Sequence, residues 1–270
     1  MSEPSGTGVK RLIIVIPIHN EADNLEPLVQ RLIAASAALR DWTTELLFVD
    51  DGSTDASVAR LRAMRARGLP AGYISFYRNF GHQAAILAGL ENADGDVVIT
   101  MDGDLQHPPE DIPRMIEAYT AGAEIVQMIR DHSPGGAKGW FSRLFYRVFA
   151  LASRSEVVMD ASDFRLLSRN VVDALRQIPE RSKFLRGLIP SLGFPVVTLT
   201  YKEAPRAGGA PSYTFAKSAR LAIHALFEFS TVPLRLVFWF GTGLAFVSFC
   251  FGIWHVAAKL LARKGIEPGF

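Results

Sequence analysis

Between Arg235 and Lys259 lie 23 residues, Leu236 to Ala258, with no Asp, Glu, Lys or Arg. As a helix at 1.5 Å per residue, that stretch reaches ~34 Å, enough to cross a bilayer core of roughly 30 Å. Trp239 and Trp254 lie near its ends, as in aromatic belts. A buried core helix is the alternative, but this length without a charge favours a membrane span. The stretch also explains why apolar residues reach 49% of the chain, high for a wholly soluble enzyme. Lys259, Arg263 and Lys264 follow the span, so the positive-inside pattern leaves its orientation open. His255 sits near the far interface, and Cys250, the one cysteine, reads as an apolar filler. A single cysteine excludes an internal disulfide and a Cys metal cluster.

The chain before the span has a different pattern. Leu12 to Ile18 is a short β-branched apolar run, the signature of a strand buried on both faces. Ala22 to Leu39 carries Leu25, Leu28, Val29, Leu32 and Ile33 at helical spacing. Strands are predicted at Glu45–Val49, Tyr73–Tyr77, Asp96–Met101 and Ile125–Ile129. Helices are predicted after Ser53 or Thr54 to about Arg67, at Gln83–Ala93, and from Pro108 to about Ala121. Ala84, Ala85, Ala88 and Gly89 would let the second of these approach the sheet closely. Strands alternating with helices predict a mostly parallel, doubly wound α/β sheet flanked by helices. Trp140–Ser153 and Phe215–Phe229 read as amphipathic helices with basic edges, suited to a membrane interface. Asp160–Leu167 and Val196–Tyr201 are predicted strands, with helical segments at Arg169–Gln177 and Arg181–Leu192. The strand from Asp160 is expected to cross the active edge, carrying Asp163 and Arg165.

These patterns divide the chain into a flexible N-terminus (1–10), an α/β catalytic domain (11–213), an amphipathic juxtamembrane helix (214–232), a transmembrane helix (233–262) and a short tail (263–270). The first ten residues are polar and lack the apolar core of a signal peptide, so the α/β domain is expected in the cytosol, at a membrane. A net charge of +2 makes no case for nucleic acid.

The chemistry concentrates at Asp102-Gly103-Asp104-Leu105-Gln106, where an apolar run ends in two carboxylates at i, i+2 and an amide at i+4. A strand there delivers Asp102 and Asp104 to the carboxyl edge of the sheet, where open α/β sheets bind ligands. Hard oxygen ligands in this number suit a Mg²⁺ or Mn²⁺ that keeps positions open for phosphate oxygens. An acidic turn closing a strand is the plainer alternative. A calcium EF-hand loop fails on register, because His107 and Pro113 stand where Gly and Glu are needed. Asp50 and Asp51 follow the second strand, placed to reach ribose hydroxyls, or else simply to build a capped turn. No G-x-G-x-x-G precedes them and no Walker lysine motif occurs.

Taken together and in order, these motifs resemble the family 2 glycosyltransferases of GT-A fold, and among them the polyprenyl-phosphate glycosyltransferases such as dolichyl-phosphate mannose synthase and the bactoprenol glucosyltransferases. The elements are Val15-Ile16-Pro17 with Asn20-Glu21, Val49 to Asp55, Arg78-Asn79-Phe80-Gly81, Asp102 to Gln106, Asp163-Phe164-Arg165 and the apolar span. The resemblance implies transfer of one sugar, with inversion, from a UDP- or GDP-sugar to a polyprenyl phosphate. It implies that Pro17, Asn20, Glu21, Asp50, Asp51, Arg78, Asp102 and Arg206 bind the nucleotide-sugar, with Arg206 on its diphosphate. Asp102, Asp104 and Gln106 would form the metal and diphosphate shell, and Arg130 and Arg143 would receive the lipid phosphate. Related sequences place a Lys-Tyr pair after the diphosphate arginine; Ser212-Tyr213 stands here, with Lys217 as another source of that contact. The subgroup often carries two spans, and one is found here.

A phosphate monoester has a second pKa at about 6, so its oxygens need no side-chain base at neutral pH. The catalytic set is therefore expected to be Asp102, Asp104, Asp163 and Arg143, with Asp163 binding a sugar hydroxyl or orienting the sugar rather than removing a proton. A membrane-tethered nucleotide- or metal-binding module and a processive polysaccharide synthase are the alternatives, the latter without its Q-x-x-R-W signature. The expected partners are a nucleotide-sugar, a polyprenyl phosphate and the membrane, with homo-oligomerisation left open.

Overall fold

A computed structural model describes residues 9–131, 161–179, 185–203 and 232–264. The predicted amphipathic helices at 140–153 and 215–229, and with them Arg143, Arg206, Ser212, Tyr213 and Lys217, lie outside the described residues.

The order of elements is β1 (Lys10–Ile18), α1 (Ala22–Ser36), β2 (Trp42–Asp50), α2 (Ser57–Ala66), β3 (Ala71–Ser75), α3 (His82–Asn92), β4 (Val97–Thr100), a 3-10 turn (Pro109–Asp111), α4 (Ile112–Thr120) and β5 (Ile125–Arg130). Then follow β6 (Ala161–Ser168), α5 (Arg169–Gln177), α6 (Leu185–Ser191), β7 (Val196–Tyr201) and α7 (Val232–Lys264). The strands form one seven-stranded sheet in the order β3-β2-β1-β4-β6-β5-β7. All neighbours are parallel except β6, which runs antiparallel between β4 and β5.

The sheet is covered on both faces, as its uninterrupted apolar strands require. Along β1, Leu12, Ile14 and Ile16 enter one core and Ile13 and Val15 the other. The first core receives Leu25 and Leu28 of α1, Leu61 and Met64 of α2, and Ile112 and Met115 of α4. The second receives Ile86 and Leu90 of α3, Val171 and Leu175 of α5, and Ile189 of α6. The small face of α3 does approach the sheet: a Cβ on Gly89 would come within 2.2 Å of Val15 Cγ1.

Some boundaries differ from the sequence expectation. Helix α1 stops at Ser36, yet Leu39 stays buried, because a turn that bonds Leu39 N–H to Ser36 O carries it back into the core. Its apolar spacing therefore outlasts the helix. Helix α2 begins at Ser57 rather than after Ser53 or Thr54; Asp55 Oδ1 accepts the Ser57 N–H, and Ser53 Oγ accepts from Asn20 N–H instead. Strand β3 starts at Ala71 and ends at Ser75, leaving Tyr77 fully exposed. Strand β6 does not cross the edge of the sheet; it is inserted within it, burying Phe164, Leu166 and Leu167.

The chain divides into two compact units, the α/β unit and one that contains α7. Helix α7 is continuous, and Val237–Leu260 within it is long and apolar enough to cross a membrane. Its described side chains, Phe238, Phe240, Phe246 and Val247 among them, are exposed. An apolar surface of this extent marks a contact with lipid or with another apolar partner.

Candidate active site

The carboxyl ends of β1, β2 and β4 carry the acidic and amide residues singled out above, and hydrogen bonds bind their loops into one frame. Asn20, in the left-handed conformation at φ 58°, accepts the N–H groups of Thr54 and Asp55 on its Oδ1, at 2.8 and 3.3 Å. Glu21 N–H donates to Ser57 Oγ at 3.0 Å, and Asn24 donates to the Glu21 carboxylate. Asp50 accepts from Ser53 N–H and Ser75 Oγ–H, one on each oxygen. Asp51 accepts from Phe80 N–H at 2.6 Å and Gly81 N–H at 2.9 Å. Both aspartates are buried: Asp51 braces the β3–α3 loop, and Asp50 ties the β2–α2 loop to the end of β3. Gly52 lies under that loop at φ 68°, and a Cβ there would meet the Arg78 carbonyl carbon at 2.4 Å. Arg78 lays its guanidinium over the Phe80 ring, 4.8 Å from the centroid. Pro17 is buried within β1, and its carbonyl lies 3.3 Å from where a Cβ of Gly103 would stand.

Past β4 the chain turns sharply. Leu105 adopts φ 67°, costly for a branched residue, and holds it with a side chain packed on the first core. Asp104 Oδ1 accepts Gln106 N–H at 3.1 Å, which closes the turn. Asp102 N–H donates to His107 Nδ1 at 2.9 Å. That fixes the tautomer: Nδ1 carries the lone pair, so Nε2–H donates to Ser162 Oγ at 2.7 Å. His107 is stacked on Phe164, with Tyr201 edge-on, and burial pushes its imidazole down to about 3. It is a neutral pin between the acidic loop and β6.

Because β6 is antiparallel, it starts where its neighbours end. Thr100 pairs with Arg165, so Ser162 and Asp163 project past the end of β4, beside Asp102. Asp163 is 3% exposed and its oxygens are crowded with donors. Oδ1 accepts from Arg165 Nη2 at 2.7 Å and Arg186 Nε at 3.2 Å; Oδ2 accepts from Arg186 Nη2 at 2.7 Å and Gln83 Nε2 at 3.0 Å. His82 Nε2 lies 3.4 Å from Asp163 Oδ2 and 3.3 Å from Asp102 Oδ1. Burial alone would raise the proton affinity of Asp163. Hydrogen bonds from His82 and Arg186, with the charges of Arg165 and Arg186, outweigh it and hold the carboxyl far below the usual carboxylate range.

Asp102 behaves oppositely. Burial, with repulsion from Asp163 and Asp104, pushes its carboxyl up to about 6 against the pull of His82. Its Oδ1 is buried and accepts no hydrogen bond, although the His82 ring faces it at 3.3 Å. Among the described residues no group of three or more His, Cys, Asp or Glu forms a ready-made metal centre. The chemistry of the site nevertheless fits a hard divalent cation that keeps most of its positions for water and phosphate: Asp102 has a buried oxygen that accepts no hydrogen bond, and Asp104 stands two residues on.

Arg130 ends β5 at the same edge, and its Nη2 lies 3.1 Å from Glu203 Oε1. The structure thus brings Asp102, Asp104, Gln106 and Asp163 to one edge, with Pro17 and Asp50 at the ends of β1 and β2 and Asn20, Glu21, Asp51 and Arg78 in the adjoining loops. Five polar residues of the cluster went unmarked in the sequence: His82, Gln83, His107, Ser162 and Arg186. His82 and Gln83 open a helix straight after Arg78-Asn79-Phe80-Gly81, and His107 adjoins Gln106, so closeness to the motifs was the available signal. Arg186 had none beyond its basic segment, since only the fold brings α6 to β6.

A model of the family described as Glycosyl transferase family 2 matches residues 13–176. The chain is 34% identical over 253 residues to the bactoprenol glucosyl transferase of Shigella phage SfV, covering 93% of this chain and 82% of the relative. It is equally 34% identical over 259 residues to the undecaprenyl-phosphate 4-deoxy-4-formamido-L-arabinose transferase of Klebsiella pneumoniae (strain 342), covering 93% of this chain and 77% of that protein. Among solved structures it resembles the mannosyltransferase PcManGT of Pyrobaculum calidifontis in complex with GDP-Man and Mn²⁺, with TM-score 0.54 at 17% identity, covering 89% of this chain and 81% of that one. Glucosyl-3-phosphoglycerate synthase of Mycobacterium tuberculosis, in complex with Mn²⁺, UDP and phosphoglyceric acid, gives TM-score 0.54 at 19% identity, covering 80% and 76%. The fold is therefore that of the GT-A glycosyltransferases, as the motif order implied.

Proposed function

This chain belongs to glycosyl transferase family 2, and from that premise we propose that it moves one sugar from a nucleotide-sugar to a polyprenyl phosphate at a membrane. The observation that carries the choice of acceptor is the state of Asp163. An alcohol acceptor must lose its proton during attack and needs a base of matched pKa. Asp163 takes donors on both oxygens and has a strongly depressed proton affinity, so it makes a poor base. Asp102 and Asp104 are assigned to the cation. A phosphate acceptor removes the need, because its oxygens are already mostly ionised at neutral pH.

The roles then follow the geometry. Asp102 and Asp104 would hold a Mg²⁺ or Mn²⁺, with Gln106 beside them. When bound, that cation supplies charge neutralisation for the leaving diphosphate. His107 keeps the Asp102 backbone against β6. The Asp51-braced loop and Arg78 line the donor side, with Pro17, Asn20, Glu21 and Asp50 shaping the neighbouring wall. Arg130 receives the acceptor phosphate, an anion that arginine can grip with two parallel hydrogen bonds; Arg143 and Arg206 are the further arginines assigned by motif to the acceptor and the donor diphosphate. Attack in line at the anomeric carbon inverts its configuration. The apolar segment of α7 suits a bilayer by length, and a polyprenyl chain is a membrane substrate. The α/β unit then lies on the cytosolic side, where nucleotide-sugars are made.

The test is a transfer assay with Mn²⁺ and a panel of UDP- and GDP-sugars, offering undecaprenyl phosphate or undecaprenol. Transfer to the phosphate and none to the alcohol is expected. Equal use of the alcohol would overturn the reading.

A further inference from the structure

Arg130 does not wait bare for its ligand. It pairs with Tyr201 in the β5–β7 register, and Glu203, two residues further along the chain, reaches back to its guanidinium at 3.1 Å. The pair is partly open to solvent, with 38% of the arginine side chain and 26% of the glutamate side chain exposed. We propose that Glu203 is an exchange counter-ion for the acceptor site: it occupies Arg130 between turnovers, yields to the incoming phosphate monoester and helps to expel the product phosphodiester. This rests on the assignment of Arg130 to the acceptor phosphate.

The chemistry of transfer gives the exchange its direction. The acceptor monoester carries a charge of about −1.5 to −2 at neutral pH. One of its oxygens donates an electron pair to the anomeric carbon. The bond from that carbon to the donor's diphosphate oxygen breaks, and its electron pair leaves with the nucleoside diphosphate. The lipid phosphate is now a diester with a single negative charge. At the same distance its Coulomb attraction to Arg130 falls by up to about half. Glu203 keeps its charge, and its tether gives it a high effective concentration at the arginine. The competition therefore favours the monoester before transfer and the carboxylate after it. A pair this exposed changes an equilibrium by up to about fivefold, enough to bias release without blocking entry.

The experiment uses the full chain in a neutral detergent and two sugar-independent probes. Undecaprenyl phosphate stands for the acceptor, and its methyl diester stands for the product. Glu203→Gln should bind the diester about three- to fivefold more tightly than the unaltered protein does. Glu203→Ala provides a second neutral variant, and thermal unfolding and donor binding check that each variant is folded. Adding Arg130→Gln to Glu203→Gln should erase the gain, since the two effects act through one pair. Arg130→Gln alone should weaken the monoester by about tenfold or more. If that loss is seen but both Glu203 variants, folded, bind the diester like the unaltered protein, the exchange role is overturned and the acceptor assignment stands. If Arg130→Gln leaves monoester binding unchanged, the acceptor assignment fails, and the role of Glu203 fails with it.

Discussion

At the scale of single residues, His107 shows how a buried neutral group serves an acidic loop. Its Nδ1 accepts from Asp102 N–H and its Nε2–H reaches Ser162, so both nitrogens are used only while the ring is uncharged. Its folded proton affinity, about 3, lies well under its ordinary value of 6.5. The unfolded chain therefore binds a proton that the folded chain refuses. Stability from this residue is complete above about 6.5 and is lost as the pH falls toward 3. Thermal unfolding at a series of pH values should show that His107→Phe flattens part of the acid slope. The same change should lower stability at pH 7 by about 1–3 kcal/mol, because Asp102 N–H loses its acceptor. An unchanged acid slope would show that other groups account for it. Asp163 presents a different case. Arg165, 3% exposed, depends on it for a counter-charge. Breaking a buried pair by removing one partner costs about 3–5 kcal/mol. Loss of transfer in Asp163→Asn therefore has to be read beside its unfolding temperature before it is ascribed to chemistry.

At the scale of elements, the close packing of α3 on the sheet sets where His82 and Gln83 stand. The helix comes in on Ala85 and Gly89, both without bulk, and any side chain at 89 meets Val15 and Val49. Gly89→Val should push the helix outward, costing about 1–3 kcal/mol by overpacking. Since α3 begins at His82, the shift should also loosen the contacts of His82 and Gln83 with Asp163. Donor binding measured alongside chemical denaturation checks both halves of this expectation. A Gly89→Val protein with unaltered stability would mean that the helix and sheet can part without strain.

At the scale of the whole molecule, the proposed function gives the α/β unit and α7 separate tasks. Removing Val232 to Phe270 should leave nucleotide-sugar binding near its original strength while weakening the use of long-chain acceptors by about tenfold or more, because the apolar contact with the bilayer is lost. Sedimentation with lipid vesicles, together with transfer to short and long polyprenyl phosphates, checks it. Unchanged membrane association and unchanged long-chain transfer would show the segment to be dispensable. Much of this organisation was legible in the chain alone. Uncharged length specifies the apolar helix, and β-branched runs specify strands buried on both faces, because the hydrophobic effect acts on local pattern. Asp102 and Asp104 were legible for the same reason: they sit where an apolar run stops. Other features depended on residues far apart in sequence. Periodicity says which face of a strand is buried but not its direction, so β6 appeared as a strand without revealing that it enters the sheet antiparallel. That direction alone places Asp163 beside Asp102, and only the packing of α6 brings Arg186 onto it. The sequence by itself determined the layers, the acidic edge and the apolar helix, since each follows from neighbours along the chain. The tertiary structure decided the opposite shifts in proton affinity of Asp163 and Asp102 and the pairing of Arg130 with Glu203, because electrostatic energies depend on distance through space.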